Sequence, residues 1–195
     1  KKADQRAGLL QERTEELWRI NNLQENILNS TDYLIVSIDS QGIVQTFNAG
    51  AEKMLGYQAS EVIGKATPAM FLEAQEITRL AAALSVELGR EILPGLEVFT
   101  AKAKQGLVTE MEVTNIRKDG SRFPLFITIT ALKNSQQEII GFLGIGKDIT
   151  EHQRIEQERQ QLLQELSAFK LALDQSAIVA ITDTKGVITY ANDRF

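Results

Sequence analysis

Apolar residues recur at helical spacing over the first 29 residues and again from 151 to 173, with strand-spaced runs and shorter helical pieces between them. Residues 1–29 hold no proline and one glycine, with Leu10, Leu17, Ile20 and Ile27 set among charges, which predicts one long helix. A heptad seam through positions 10, 13, 17, 20, 24 and 27 is broken by Arg13 and Gln24. A coiled-coil-like pairing helix and an amphipathic helix lying on its own domain both fit that pattern. In the second segment Ile155, Leu162, Leu166, Phe169 and Leu173 follow by threes and fours, with Arg159 interrupting.

From Tyr33 the period falls to two. "YLIVSID" and "IVQTFN" read as strands about a tight turn containing Gly42. The short helical pieces "AGAEKMLG" and "SEVIG" each end in a glycine suited to a left-handed cap. Thr67-Pro68 opens a further turn, "PAMFL". A longer helix carries Ile77, Leu80, Leu84 and Leu88 on one face and stops at Gly89, and "GLEVFTAKAKQ" is one more candidate helix. Three strands follow, "LVTEMEVTNIR", "RFPLFITITAL" and "EIIGFLGIGK", joined by "KDGS" and "KNSQQ". Such short joints force antiparallel pairing. Near the end "IVAITDTKGVITYAN" repeats "LIVSIDSQGIVQTFN", with Asp183, Gly186 and Asn192 each 144 positions after Asp39, Gly42 and Asn48 (186 − 42 for the glycines).

Composition narrows the function. The 195 residues carry a formal net charge of −5, so no broad positive field exists to attract nucleic acid or an anionic membrane surface. No apolar run reaches the length of a membrane span and no signal peptide is visible, so the cytoplasm is the default location, with membrane association of a larger parent left open. There are no cysteines, which removes thiolate chemistry, and a single histidine, His152, which rules out a histidine-based dyad or metal cluster within one chain. His152 reads as a solvated residue at the start of the second long helix. Glu110, Glu112 and Asp119 alternate along a strand or sit in a turn and read as solvated carboxylates. The chain begins at Lys1 rather than methionine and reads as a piece of something longer.

One stretch, "GFLGIGK", has the spacing of a phosphate-cradling loop. The following residue is Asp148, which supplies no hydroxyl for magnesium and adds negative charge, and Phe142, Leu143 and Ile145 suit a strand rather than an anion-facing loop. The glycines are read as thinning a strand for close packing.

The order of elements, with "IVQTFNAGAEKMLGY", "EVIGK", "IRKDGSRFPLFITITAL" and "GFLGIGKDITEHQRIEQE", resembles the PAS sensor domain over about residues 33–150. Asp148-Ile149-Thr150 is similar to the Asp-Ile-Thr signature that closes many such domains ahead of a signalling helix. The resemblance implies an α+β fold, a five-stranded antiparallel sheet with helices on one face, flanked by coiled-coil-like helices. The expected layout is a helix at 1–30, a PAS domain at 31–150, a linker helix at 151–173 and the truncated start of a second PAS domain at 174–195.

The function implied is noncatalytic: a sensory and dimerising module relaying a signal through its exiting helix to an output domain in the same chain. That domain is foremost a histidine kinase, as in two-component systems, with a diguanylate cyclase or phosphodiesterase as the alternative. Transfer is expected at Asp148, Ile149 and Thr150, with Thr150 capping the new helix. A homodimer is expected through Leu17, Ile20 and Ile27 before the core and Ile155, Leu162, Leu166 and Phe169 after it.

Haem-binding members usually offer a histidine from the helical face, and photoactive flavin members a cysteine; "EAQEITRLAAALSVELG" has no histidine and the chain no cysteine. No cofactor is therefore expected, while a small ligand, or flavin or haem held noncovalently in a redox or gas sensor, stays open. Val36, Ile38, Phe47, Met70, Phe71, Ile77, Leu84, Phe99, Ile127, Ile129 and Phe142 should line the space between sheet and helices, as packed core or as pocket.

Overall fold

The computed structural model describes residues 2–192 and 194–195, with side chains from Gln11 onward, so the side chain of Leu10 lies outside the described residues. It divides into two compact units, residues 1–149 and 150–195.

The first unit opens with α1 (Lys2–Asn29) and continues through β1 (Leu34–Asp39), β2 (Val44–Phe47), α2 (Ala49–Leu55) and α3 (Ala59–Val62). A 3-10 turn (Pro68–Phe71), α4 (Ala74–Leu88) and α5 (Leu96–Lys104) follow, then β3 (Thr109–Ile116), β4 (Arg122–Lys133) and β5 (Ile139–Asp148). The strands form one five-stranded antiparallel sheet in the order β2-β1-β5-β4-β3. Bringing β5 against β1 joins the first hairpin to the last meander.

Side-chain alternation gives the sheet two faces. Leu34, Val36 and Ile38 of β1 and Val113, Leu125, Ile129 and Phe142 of the meander are buried in one core with Leu55 of α2, Val62 of α3, Ile77 and Leu84 of α4 and Val98 and Phe99 of α5. Helices thus cover the inner face, while Phe126 and Ile145 on the other parity stay more than a third exposed.

The β5 glycines do what the sequence reading asked of them. A Cβ on Gly141 would stand 2.2 Å from the Ile38 carbonyl oxygen, and one on Gly146 would stand 2.9 Å from Leu125 Cδ2. Strand and neighbour approach closely here because no side chain intervenes. The phosphate-loop spacing is thereby absorbed into a paired strand.

The second unit holds α6 (Thr150–Ser176) and a hairpin, β6 (Ala180–Thr182) with β7 (Ile188–Ala191). Its hairpin reproduces the first in detail. Val36↔Phe47, Ser37↔Thr46 and Ile38↔Val44 in one correspond to Ala180↔Ala191, Ile181↔Tyr190 and Thr182↔Ile188 in the other, with the register shift at the same step. Asp39 Oδ1 accepts the Gln41 and Ile43 amides, and Asp183 Oδ1 accepts those of Lys185 and Val187. Asn48 bonds the Ile35 amide and Tyr33 carbonyl, and Asn192 the Val179 amide and Ala177 carbonyl. The burial differs: Val44 is fully buried, whereas its counterpart Ile188 is 49% exposed.

Among the described residues no helix is long and apolar enough to cross a membrane.

Candidate functional site

A cavity of about 60 Å³ lies between the inner face of the sheet and the helical layer. β1 presents Leu34, Val36 and Ile38 to it; β4 presents Leu125, Ile127 and Ile129; β5 adds Phe142 and Gly144. Pro68, Phe71 and Leu72 of the 3-10 turn and Phe99 of α5 close the helical side, and β3 contributes Val113 and Asn115. The wall is apolar apart from Asn115, which is 3% exposed and whose Oδ1 has no hydrogen-bond partner.

Seven of the residues expected at this space line the cavity: Val36, Ile38, Phe71, Phe99, Ile127, Ile129 and Phe142. Phe47, Ile77 and Leu84 are buried in the same core without lining it. Met70 departs from the expectation. It is 43% exposed, because the tight 3-10 turn that buries Phe71 points its neighbour outward. The sequence reading missed Asn115, although its register marks it: it lies two and four residues beyond the inward Val113 and Met111.

The cavity does not suit the larger cofactors. An apolar cavity of about 150 Å³ holds one benzene ring, and this one of about 60 Å³ falls well short of the three fused rings of a flavin. The lining offers neither histidine nor cysteine to haem iron, and His152 is an exposed residue of α6. Among the described residues no cluster of ligating side chains could hold a metal ion.

A second constellation sits where β5 ends. Asp148, the last residue of β5, pairs with the Arg117 guanidinium at 3.1 Å, both side chains 28% exposed. The same guanidinium donates to the Met54 carbonyl in α2 and lies 3.8 Å above the Phe123 ring. Ile149 is buried, and its amide donates to the Pro124 carbonyl of β4 at 3.1 Å. Helix α6 then begins at Thr150, with Glu151 in its first turn and its carboxyl held below the usual range by Arg154. The sequence named Asp148, Ile149 and Thr150 but not Arg117, whose partner stands 31 positions away.

The apolar stripes of the long helices are exposed, as a pairing surface must be in one isolated chain. Leu17, Ile20 and Ile27 are 61%, 47% and 58% exposed, and Ile155, Leu162, Leu166 and Phe169 are 53–66% exposed. No residue of α6 is buried.

The family model of the PAS domain matches residues 31–151, more than half of the chain and the stretch that holds the whole five-stranded sheet. The chain belongs to the PAS domain family. Two-component system protein A of Emericella nidulans is 32% identical over 126 residues, covering 64% of this chain and 16% of that protein. Sensor protein FixL of Bradyrhizobium diazoefficiens is 26% identical over 141 residues, 72% of this chain and 25% of the relative. The chain therefore spans a quarter or less of these relatives. Among solved structures, an RNA-binding Light-Oxygen-Voltage receptor superposes with a TM-score of 0.56 at 17% identity, over 74% of this chain and 37% of that one, which speaks for the fold alone. The PAS unit is a sensory module rather than a catalytic one.

Proposed function

We propose that this PAS domain is the sensory and dimerising part of a signalling protein, and that it acts by setting how the helix beginning at Thr150 leaves the sheet. The observation that carries the reading is the Arg117–Asp148 pair: one side chain grips the end of β5, the end of α2 and the ring of Phe123, two residues before the helix starts. A change inside the domain that moves β5 or β3 alters that grip, and the helix follows.

Resemblance to a two-component system protein and to a sensor protein supports a histidine kinase as the output. The hairpin at 180–191, matching the first in register and capping bonds, supports a second PAS domain beginning there. The exposed stripes of α1 and α6 support parallel pairing with a second copy. The cytoplasm is the compartment this reading assigns.

The test is the output of the intact parent protein carrying Asp148→Ala. A changed output with the PAS domain still folded is the expected result. An unchanged output, with only a small fall in melting temperature, overturns the relay.

A further inference from the structure

We propose that an open cleft on the surface where β5 ends, apart from the interior cavity, binds a small organic acid by its carboxylate. The effect assigned to the bound acid rests on the relay reading, while its binding does not.

The cleft measures about 340 Å³ and is lined by Asp32 from the α1–β1 loop, Lys53 and Met54 of α2, Arg117 just past β3, and Lys147 and Asp148 at the end of β5. All six belong to the first unit. Three cations face two carboxylates, an excess of one positive charge in a chain whose formal net charge is −5. Lys53 pairs with Asp32 at 3.2 Å and Arg117 with Asp148 at 3.1 Å. The Lys147 ammonium lines the same cleft and has no ion-pair partner among the described residues. One added carboxylate balances the lining, whereas a phosphate dianion would overshoot it beside Asp32 and Asp148.

Between the charges the walls are the Met54 side chain and the alkyl stems of Lys53, Lys147 and Arg117, which suit an apolar body behind the carboxylate. The cleft has the space of roughly eleven water molecules at about 30 Å³ each, enough for an acid of the size of one aromatic ring.

The position gives occupancy a consequence. Asp32 stands just before β1 and Asp148 just before α6, so the cleft lies between the entry and the exit of the PAS unit. An acid seated on Lys147 and Arg117 competes with Asp148 for the guanidinium that also holds the Met54 carbonyl. Binding therefore loosens the tie that fixes the start of α6.

The test uses benzoate and benzamide, which share ring and shape and differ in charge. Each is titrated into the ¹⁵N-labelled chain while the amide signals of residues 53–54, 117 and 147–148 are followed. Saturable shifts are expected with benzoate, about two- to fivefold tighter than with benzamide, the ratio one exposed ion pair gives. Lys147→Gln should abolish that preference, and Lys133→Gln, an exposed lysine outside the cleft, should leave it unchanged. Asp148→Ala removes a competing carboxylate and should tighten benzoate by a similar factor. Inorganic phosphate should bind more weakly than benzoate. Raising sodium chloride from about 0.01 M to about 1 M shortens the screening length from about 30 Å to about 3 Å and should erase the preference.

Equal binding of the two probes, a preference that survives Lys147→Gln, tighter binding of phosphate than of benzoate, or no saturable response overturns the proposal. A benzoate affinity unmoved by Asp148→Ala overturns the competition for Arg117. Failure of the site is separate from failure of the relay. A parent whose output changes with Asp148→Ala while benzoate leaves the amides unmoved keeps the relay and discards the site. Charge-dependent binding in a parent indifferent to Asp148→Ala keeps the site and discards the relay.

Discussion

Arg117 holds Asp148 at 3.1 Å while its other nitrogen reaches the Met54 carbonyl, so the last residue of β5 and the last turn of α2 are tied through one side chain. The guanidinium is planar and always charged, which lets it stack on Phe123 and bond in its own plane at once. Lysine cannot reproduce this. A double-mutant cycle of Arg117→Ala and Asp148→Ala should give a coupling of about 0.5–1 kcal/mol, since both side chains are partly solvated. Arg117→Lys should keep some of that coupling yet lose the tie to α2. Urea midpoints of the four proteins measure it, and additive single effects would show that the two residues act apart.

The β5 glycines should differ in what they tolerate. At Gly141 an added Cβ meets the Ile38 carbonyl oxygen at 2.2 Å, backbone that cannot yield without parting β1 from β5. At Gly144 it meets Ile127 Cδ1 at 3.2 Å, the movable end of a side chain. Gly141→Ala should cost about 3 kcal/mol or more and Gly144→Ala about 1 kcal/mol. Equal losses in denaturant titrations would mean that the close approach at Gly141 relaxes easily.

Asn48 is 4% exposed and satisfies four backbone groups. It accepts from the Ile35 and Ala51 amides at 2.9 Å each and donates to the Leu28 and Tyr33 carbonyls at 2.7 and 3.0 Å. Asn48→Ala strands groups at the end of α1, in β1 and at the start of α2 together. A loss of about 3–5 kcal/mol is expected. Asn29→Ala removes one exposed bond to the Ala49 amide and should cost only about 0.5–1 kcal/mol. Thermal and urea unfolding of the pair check the contrast.

The fold was legible because its signals are local. Period-two runs such as "LIVSID", the Lys118-Asp119-Gly120-Ser121 turn and the glycine stops at 56, 64 and 89 each declare themselves within a few residues. The site was legible only in part. Val36, Ile129 and Phe142 follow from parity, and parity would also have flagged Asn115 as a polar residue facing inward. Met70 failed for the converse reason: in a 3-10 turn neighbouring side chains fan apart, and apolar character alone does not say which one is buried. Arg117 had no local signal at all, since its worth comes from Met54, Phe123 and Asp148, brought together by strand order.

Asp39 makes the first hairpin sensitive to acid. Its carboxyl is held below the ordinary value of 3.8, first by the bond from the Ile43 amide, against an opposing effect of desolvation, with further help from the Gln41 amide and the Gln45 side chain. A depressed folded-state pKa gives stability that is fully present above the unfolded value of about 3.9 and is lost as pH falls through the folded one. Asp39→Asn should therefore be less stable than the parent near neutral pH, and the gap should close as pH falls below about 4. Melting temperatures across that range decide it, and a gap that holds constant would show that the charge of Asp39 is not what the turn uses.

The helices set the last expectation, a dimer. A 27-residue helix with no buried residue gains little from its own fold, and most helical stability comes from packing of an apolar face. Ion pairs of Arg154 with Glu151 and Glu158 and of Arg159 with Glu156 supply only a small part of the deficit, since pairs this exposed are largely screened by solvent. The larger reserve is the stripe. Ile155, Leu162, Leu166 and Phe169 are still 53–66% exposed, so pairing stands to bury about half of each, on the order of 1 kcal/mol per side chain. Association itself costs about 4–15 kcal/mol, so the stripes of α1 and α6 must be covered together. Light scattering at micromolar concentration should give twice the 21.7 kDa chain mass, and Leu166→Asp, which sets a charge in the seam, should return the protein to that mass. If the mass is that of one chain from the outset and Leu166→Asp leaves it unchanged, the stripes do not pair and the dimeric reading is wrong.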